Sequence, residues 1–218
     1  MSSVVRLLSI FLVGFLAGCA SFQVAGQVQT GRQALLINNP ERALPYFLAA
    51  ADSDPNYVYR SMHYSEGIWT YVGRAQYATG KLKEARQSLE RALSLDKDDN
   101  LARLYLGLTL WRSGETSRGL KEIEAGMRGL HDWLEYIERT RPFEAYWDPV
   151  REIRGAIEKN LDNISAKDFD RQQLIASAEW LGQRMESEID RARQDERRQF
   201  DRDFERRRGV SVGVGIGF

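Results

Sequence analysis

Side chains able to do covalent or metal chemistry are scarce in this chain. Its 218 residues hold one cysteine, Cys19, and two histidines, His63 and His131, in different segments. A lone cysteine excludes an internal disulfide framework and a multi-thiolate metal site. The sequence has no HExxH helix for a metal, no GxxxxGK[ST] loop for phosphate and no GxSxG elbow for a nucleophile. No catalytic residue, metal ligand or cofactor is therefore expected, and an enzyme is the less favoured class. Lys+Arg 31 equal Asp+Glu 31, so no overall field draws the chain toward nucleic acid. Binding chemistry is better represented. Arg74 and Tyr77 fall on one helical face, where they suit a carboxylate held beside an aromatic wall.

The position of Cys19 gives it a use. A short start with one positive charge, Met1 to Arg6, precedes the apolar run Leu7 to Ala17, too short for a membrane span and right for a signal-peptide core. The run closes on Leu16-Ala17-Gly18-Cys19. These residues resemble the bacterial lipoprotein signal, in which an aliphatic and two small residues precede a cysteine that is lipidated and becomes the mature N-terminus. The resemblance implies a signal peptide over 1–18, a covalent lipid on Cys19 and a lipidated linker over 19–23. With Ala20 rather than aspartate next in line, it further implies an anchor in the outer membrane with the body on the periplasmic face.

The elements that position the binding residues come from an internal repeat. Trp69, Val72, Gly73, Gly80, Ala85, Leu89 and Ala92 are echoed about 34 residues later by Leu106, Gly107, Leu110, Gly114, Gly119, Ile123 and Gly126. An earlier copy, with Gly31, Ala43, Phe47, Ala50 and Pro55, fits once an insertion of about eight residues around Val58 to Ser65 is allowed. This pattern resembles the tetratricopeptide repeat (TPR), a helix-turn-helix unit with small residues where its helices touch. Three copies are expected over 24–57, 66–99 and 100–133, in an all-α, TPR-like α-solenoid. The departures are Gln76 in place of an aromatic, Lys97 at the exit proline, and Gly119 and Gly126 in place of alanines. Asp52 to Asn56 and Asp96 to Asn100 are acid clusters at equivalent exits; they read as helix caps, because a calcium loop would need a glycine and a distal glutamate.

The resemblance further implies a concave groove lined by the first helix of each repeat, here Arg32 and Leu35, then Thr70, Arg74 and Tyr77, then Leu104, Leu108 and Trp111. The helix from Leu101 to Trp111 is apolar nearly all round and must be covered on both faces. Two covers are open: the chain's own C-terminal helix, with Trp180 and Leu181, or an apolar segment of a partner.

Beyond the repeats, capping helices are expected over 134–164, one of them starting at Asp148-Pro149. Ser165 to Asp168 resembles a capping box that opens one long helix over 165–208. Its first half has an apolar stripe; from Asp190 onward acids and arginines alternate in pairs three or four apart. The chain ends in 209–218, where Val210, Val212, Val214, Ile216 and Phe218 alternate with small residues in a strand-like pattern. Such a strand has no partners in the rest of the sequence, so it would add to a partner's sheet edge or to copies of itself.

Together these features predict an outer-membrane-anchored periplasmic adaptor or scaffold that binds envelope proteins through its groove and tail, with self-association through the C-terminal arm as the competing class. The resemblance implies machinery that builds barrels, secretins, pili or cell wall.

Overall fold

The computed structural model describes residues 22–61, 63–140, 147–167 and 169–212, with side chains as far as residue 206. Among the described residues, eight helices and one short hairpin follow in the order α1 (22–36), α2 (Pro40–Ser53), β1 (Val58–Ser61), β2 (Tyr64–Gly67), α3 (Ile68–Ala78), α4 (Leu82–Leu95), α5 (Asn100–Arg112), α6 (Thr116–Thr140), α7 (Glu152–Ala166) and α8 (Arg171–Val212). The architecture is an all-α, TPR-like solenoid, in which α1/α2, α3/α4 and α5/α6 are the helix pairs.

One local device makes each pair. Asn38, Gly80 and Gly114 all have positive φ, at 54°, 75° and 91°. In each turn the next residue's N–H bonds back five positions: Asn39 to Ala34 O at 2.9 Å, Lys81 to Gln76 O at 2.8 Å and Glu115 to Leu110 O at 3.0 Å. This left-handed stop pairs the last carbonyls of the first helix and reverses the chain. The second helix then packs where side chains are small. A Cβ on Gly73 would meet Leu89, and one on Gly126 would lie 2.6 Å from the Leu104 backbone nitrogen. Gly119 and Gly126, which depart from the repeat pattern, thus permit an especially close α5/α6 crossing. Gln76 is buried and accepts a 2.7 Å hydrogen bond from Ser88, a polar tie between α3 and α4.

The exits between repeats are capped by their acids, as expected. Asp54 and Asp96 each accept from the N–H two residues on, at 3.0 and 2.9 Å, and Asp99 caps α5 through Ala102 N at 2.8 Å. Asn39 caps α2 through Arg42 N, ahead of Pro40.

Several expected boundaries move. The apolar stripe of α6 runs on through Leu130, Leu134 and Ile137, so 134–140 prolongs the last repeat helix and α7 alone caps this end. That helix starts at Glu152 rather than at Asp148-Pro149; the Asp148 carboxylate reaches forward to cap Ile153 N and Arg154 N at 3.0 and 2.9 Å. Ser165 does not open the long helix but ends α7, which Lys167 stops in the left-handed conformation. Asp170 is the cap of α8, accepting from Gln173 N at 2.7 Å. The insertion between the first two repeats folds as an antiparallel hairpin with Val58 opposite Gly67 and Ser61 opposite Tyr64. In the tail, the backbone of 209–212, including Val210 and Val212, continues α8 instead of forming a strand. Val214, Ile216 and Phe218 lie outside the described residues, as do Cys19 and the signal segment 1–18.

The core runs along the solenoid from Phe47 through Tyr71 and Leu89 to Leu104, Leu108 and Ile123. It continues into α8 through Leu174, Ala178, Leu181, Met185 and Ile189. The apolar α5 is covered on one side by α3, α4 and α6 and on the other by α8. Its cover is thus intramolecular.

Candidate functional site

The first helices of the pairs place Arg32, Arg74, Thr70, Tyr77, Leu104 and Leu108 in the interior of the molecule, all of them buried. Leu35 and Trp111 sit half-buried against the core. Of the two covers left open by the sequence, the chain's own C-terminal helix is the one found. The concave face exists, but α8 fills it, because an apolar α5 and two arginines would otherwise face solvent across a missing layer.

The helix crosses the face in steps of seven residues, about two turns or 10.5 Å each. Glu179 meets the third and second repeats, accepting from Arg112 Nη2 at 2.7 Å and from the Tyr77 hydroxyl at 2.5 Å. Arg112 also lies over the Tyr77 ring, 4.4 Å from its centroid. Gly182 comes next; a Cβ there would fall 2.5 Å from a Tyr105 ring carbon, so the position takes a small residue only. Glu186 lies at the centre, with Oε1 2.7 Å from Arg32 Nε and Oε2 3.0 Å from Arg74 Nη1. Arg193 closes the series at the first repeat, donating to Gln29 Oε1 at 3.1 Å and to the Tyr59 hydroxyl at 3.2 Å.

The central cluster is a buried chain of alternating charge, Glu66–Arg74–Glu186–Arg32. Glu66 comes from β2 of the inserted hairpin and pairs with Arg74 Nη1 at 2.7 Å. Arg74 further donates to Gly182 O at 3.3 Å, and its guanidinium lies between the Tyr71 and Tyr105 rings at 5.6 and 5.4 Å. Arg32 rests over the Tyr59 ring at 4.2 Å. Burial opposes both arginine charges, but Glu186 for Arg32, and Glu66 with Glu186 for Arg74, hold them above the ordinary arginine range. Burial wins at Glu66: its carboxyl is pushed up to about 7, against the pull of Arg74. The Tyr64 and Tyr71 hydroxyls are raised by burial as well.

Arg32 is incompletely served. Its Nε is within ion-pair distance of Glu186, yet none of its three nitrogens makes an aligned hydrogen bond, and Glu186 Oε1, Arg74 Nε and the Tyr71 hydroxyl are also unpaired. Buried polar groups are ordinarily matched, so these mark a mismatch at the centre of the face.

A second cluster holds the opposite side of α8. Glu188, fully buried, accepts from Asp148 N at 2.5 Å and pairs with Arg191. Asp148 in turn binds Arg154 Nε at 3.2 Å. Glu66, Arg154, Glu186 and Glu188 are not singled out by the sequence, and Asp148 reads there only as a helix start. The only readable signal is the seven-residue spacing of Glu179, Glu186 and Arg193 beside the apolar stripe.

Of the histidines, His63 lies in the hairpin turn, near Asp96, Asp98 and Asp99. His131 faces Glu158 at 3.1 Å, and one ligand atom each of His131, Glu135 and Glu158 lie within 4.8 Å of one another. Arg151 Nη2 binds both carboxylates, at 2.7 and 3.3 Å, and so supplies the cation that this group attracts. Among the described residues, no helix is long and apolar enough to cross a membrane.

Residues 73–114 match the family described as TPR repeat, from Gly73 in α3 to the Gly114 turn. This supports a TPR protein and, with it, an interaction scaffold, since such repeats are modules for binding other proteins rather than for catalysis. No curated protein and no solved structure matches the chain.

Proposed function

We propose that this chain is a lipid-anchored periplasmic scaffold of the outer membrane, which assembles envelope proteins through its TPR body and the projecting end of α8. Leu16-Ala-Gly-Cys19 supports the anchor, with Cys19 as the lipidated residue. The TPR repeat supports protein partners. The observation that carries the choice of surface is the division of α8. Its first half fills the groove, so the face expected to bind partners is occupied, while beyond Asp195 the helix exposes Phe200 and Phe204 with their rings stacked at 6.5 Å. An exposed aromatic pair amid balanced charges is a small docking patch. Partners of this arm are the protein components of barrel, secretin, pilus or cell-wall machinery.

Two experiments test the reading. Labelled palmitate should enter the wild-type protein and not Cys19→Ser; equal labelling refutes the anchor. A photo-crosslinking residue at Phe200 should capture discrete envelope proteins in intact cells, whereas the same residue at Arg118, on the exposed side of α6, should not. No difference between the two positions removes the arm from the proposal.

A further inference from the structure

A helix that closes its own groove permanently is expected to do so by apolar packing with every buried polar atom paired. The centre of this face is built otherwise. Arg32 is 0% exposed and lies over the Tyr59 ring, yet its two terminal nitrogens have no hydrogen-bond partner among the described residues, while Glu186 divides its oxygens between Arg32 Nε and Arg74 Nη1. The Arg32 fork, which suits two parallel bonds to one carboxylate, is engaged only from the side. The groove therefore offers more carboxylate-binding capacity than α8 uses.

We infer that the concave face is a receptor for an acidic helix, and that α8 is its exchangeable occupant, displaced by a partner helix bearing two carboxylates two turns apart with a small residue between them.

The partner's chemistry is read from the face itself. Arg112, Arg74 and Arg32 succeed one another from α5 to α3 to α1, and two carboxylates seven residues apart meet them in α8. The close approach of Tyr105 at Gly182 demands glycine or a similarly small residue between those carboxylates. The seven-residue step fits a helix and not an extended peptide, in which seven residues would span about twice the distance. The opposite side of α8 keeps its own ties, Glu188 to Asp148 and Arg184 to Glu152, so the α7–α8 unit retains bonds when its groove contacts break. This inference rests on the scaffold reading but places a second, gated surface on the body.

The test uses a fluorescent peptide of residues 171–195, titrated into the full chain and into a Glu179→Gln/Glu186→Gln variant, in which the internal helix is weakened and the groove is intact. The variant should bind the peptide at least about tenfold more tightly than wild type, because the competent open state is more populated. Adding Arg74→Gln should cancel the gain, and a peptide carrying Glu179→Lys and Glu186→Lys should not bind. A folded double variant that shows no gain overturns the inference, as does equal binding of the reversed-charge peptide. Should the double variant fail to fold, hydrogen exchange on wild type decides. Excess peptide should deprotect the chain's own amides over 174–192 while α3 and α5 stay protected, and unchanged protection overturns the exchange. None of these outcomes bears on palmitate labelling or on crosslinks from the arm, so the scaffold reading can survive failure here.

Discussion

Residues 174–192 and 196–206 belong to one helix but are stabilised differently. The first stretch buries Leu174, Ala178, Leu181, Met185, Ile189 and Ala192 and sends Glu179 and Glu186 into the concave face. In the second, Phe200 is 70% exposed and Phe204 50% exposed, and the remaining side chains are charged or polar. The first half is helical because it completes a core; the second is helical because acids and arginines three and four apart suit that geometry and the first half nucleates it. Sequence composition hides this difference, since both halves carry many charges. What separates them is whether the charges have partners on other elements, and that predicts how each half responds to change.

The largest contrast is truncation. Ending the chain after residue 170 removes four large buried side chains worth about 1.5–3 kcal/mol each, a total of roughly 6–12 kcal/mol. That compares with a whole-domain stability of about 5–15 kcal/mol. The product should be aggregated or molten by calorimetry and size measurement. Ending it after residue 195 should leave a monomer that melts within about 2 °C of wild type, because surface losses of this kind stay within about 0.5 kcal/mol. A soluble, cooperatively melting product of the first truncation would show that α8 is no part of the core.

Single substitutions sharpen the same division. Glu186→Ala leaves Arg32 and Arg74 buried with Glu66 as the remaining carboxylate in the chain of four, and should cost about 3–5 kcal/mol by denaturant titration. Glu205→Ala, in the exposed half, should change stability by less than about 0.5 kcal/mol. Similar values for both would mean that the central cluster is solvated in solution.

Much of this division was legible in the residues. The repeat period, the glycine turns and the small residues between paired helices define the solenoid, because backbone sterics leave few other choices at Gly73, Gly80 and Gly114. Of the positions expected to line the groove, Arg32, Arg74 and Tyr77 meet α8 directly, whereas Thr70 bonds Asp99 at the exit before α5; the apolar character of α5 shows that something must cover it. The central cluster was not legible in the same way. Glu66 sits in the second strand of the inserted hairpin, at the first position of the second repeat, and Glu186 is one charge among many on α8. Both gain meaning only from pairing with Arg74, across a strand-to-helix junction eight residues away for Glu66 and between segments 112 residues apart for Glu186. Boundary errors had a local cause: Ser165 and Asp148 carry cap-forming side chains, yet Lys167 and Arg151 adopt left-handed φ, at 55° and 56°, and shift the helix ends.

A smaller effect should appear in the pH dependence, and between pH 5 and 7 it comes from the buried region. Glu66 titrates at about 7 in the folded protein against 4.5 as its ordinary value, so the folded state holds this proton more tightly than the unfolded state. Its contribution to stability is therefore full below about 4.5 and is lost as pH rises toward 7, with no further change above that. Burial raises the Asp99 carboxyl too, which adds a loss of the same sign. The span attributable to Glu66 is on the order of 3 kcal/mol at most. Unfolding titrations at several pH values should show wild type losing stability between pH 5 and 7, and Glu66→Gln should flatten that slope while raising stability at pH 8. An unaltered slope in the variant would assign the titration elsewhere.

The smallest effect is the response of the exposed half to salt. The pair Arg198–Asp195 spans 3.6 Å with Arg198 69% exposed, a geometry whose attraction falls once the screening length drops to about 3 Å at 1 M salt. The Glu186 pair is shielded from ions by burial and should not respond in this range. Hydrogen exchange at low and high salt separates the two: amides over 196–206 should exchange a few-fold faster in 1 M salt, while those over 178–189 keep their protection. Equal acceleration in both stretches would mean that α8 opens as one unit, with its groove contacts no stronger than its surface pairs. Acceleration confined to the far stretch would show that the arm frays independently of the helix that fills the groove, as an appendage free to engage partners while the body stays closed.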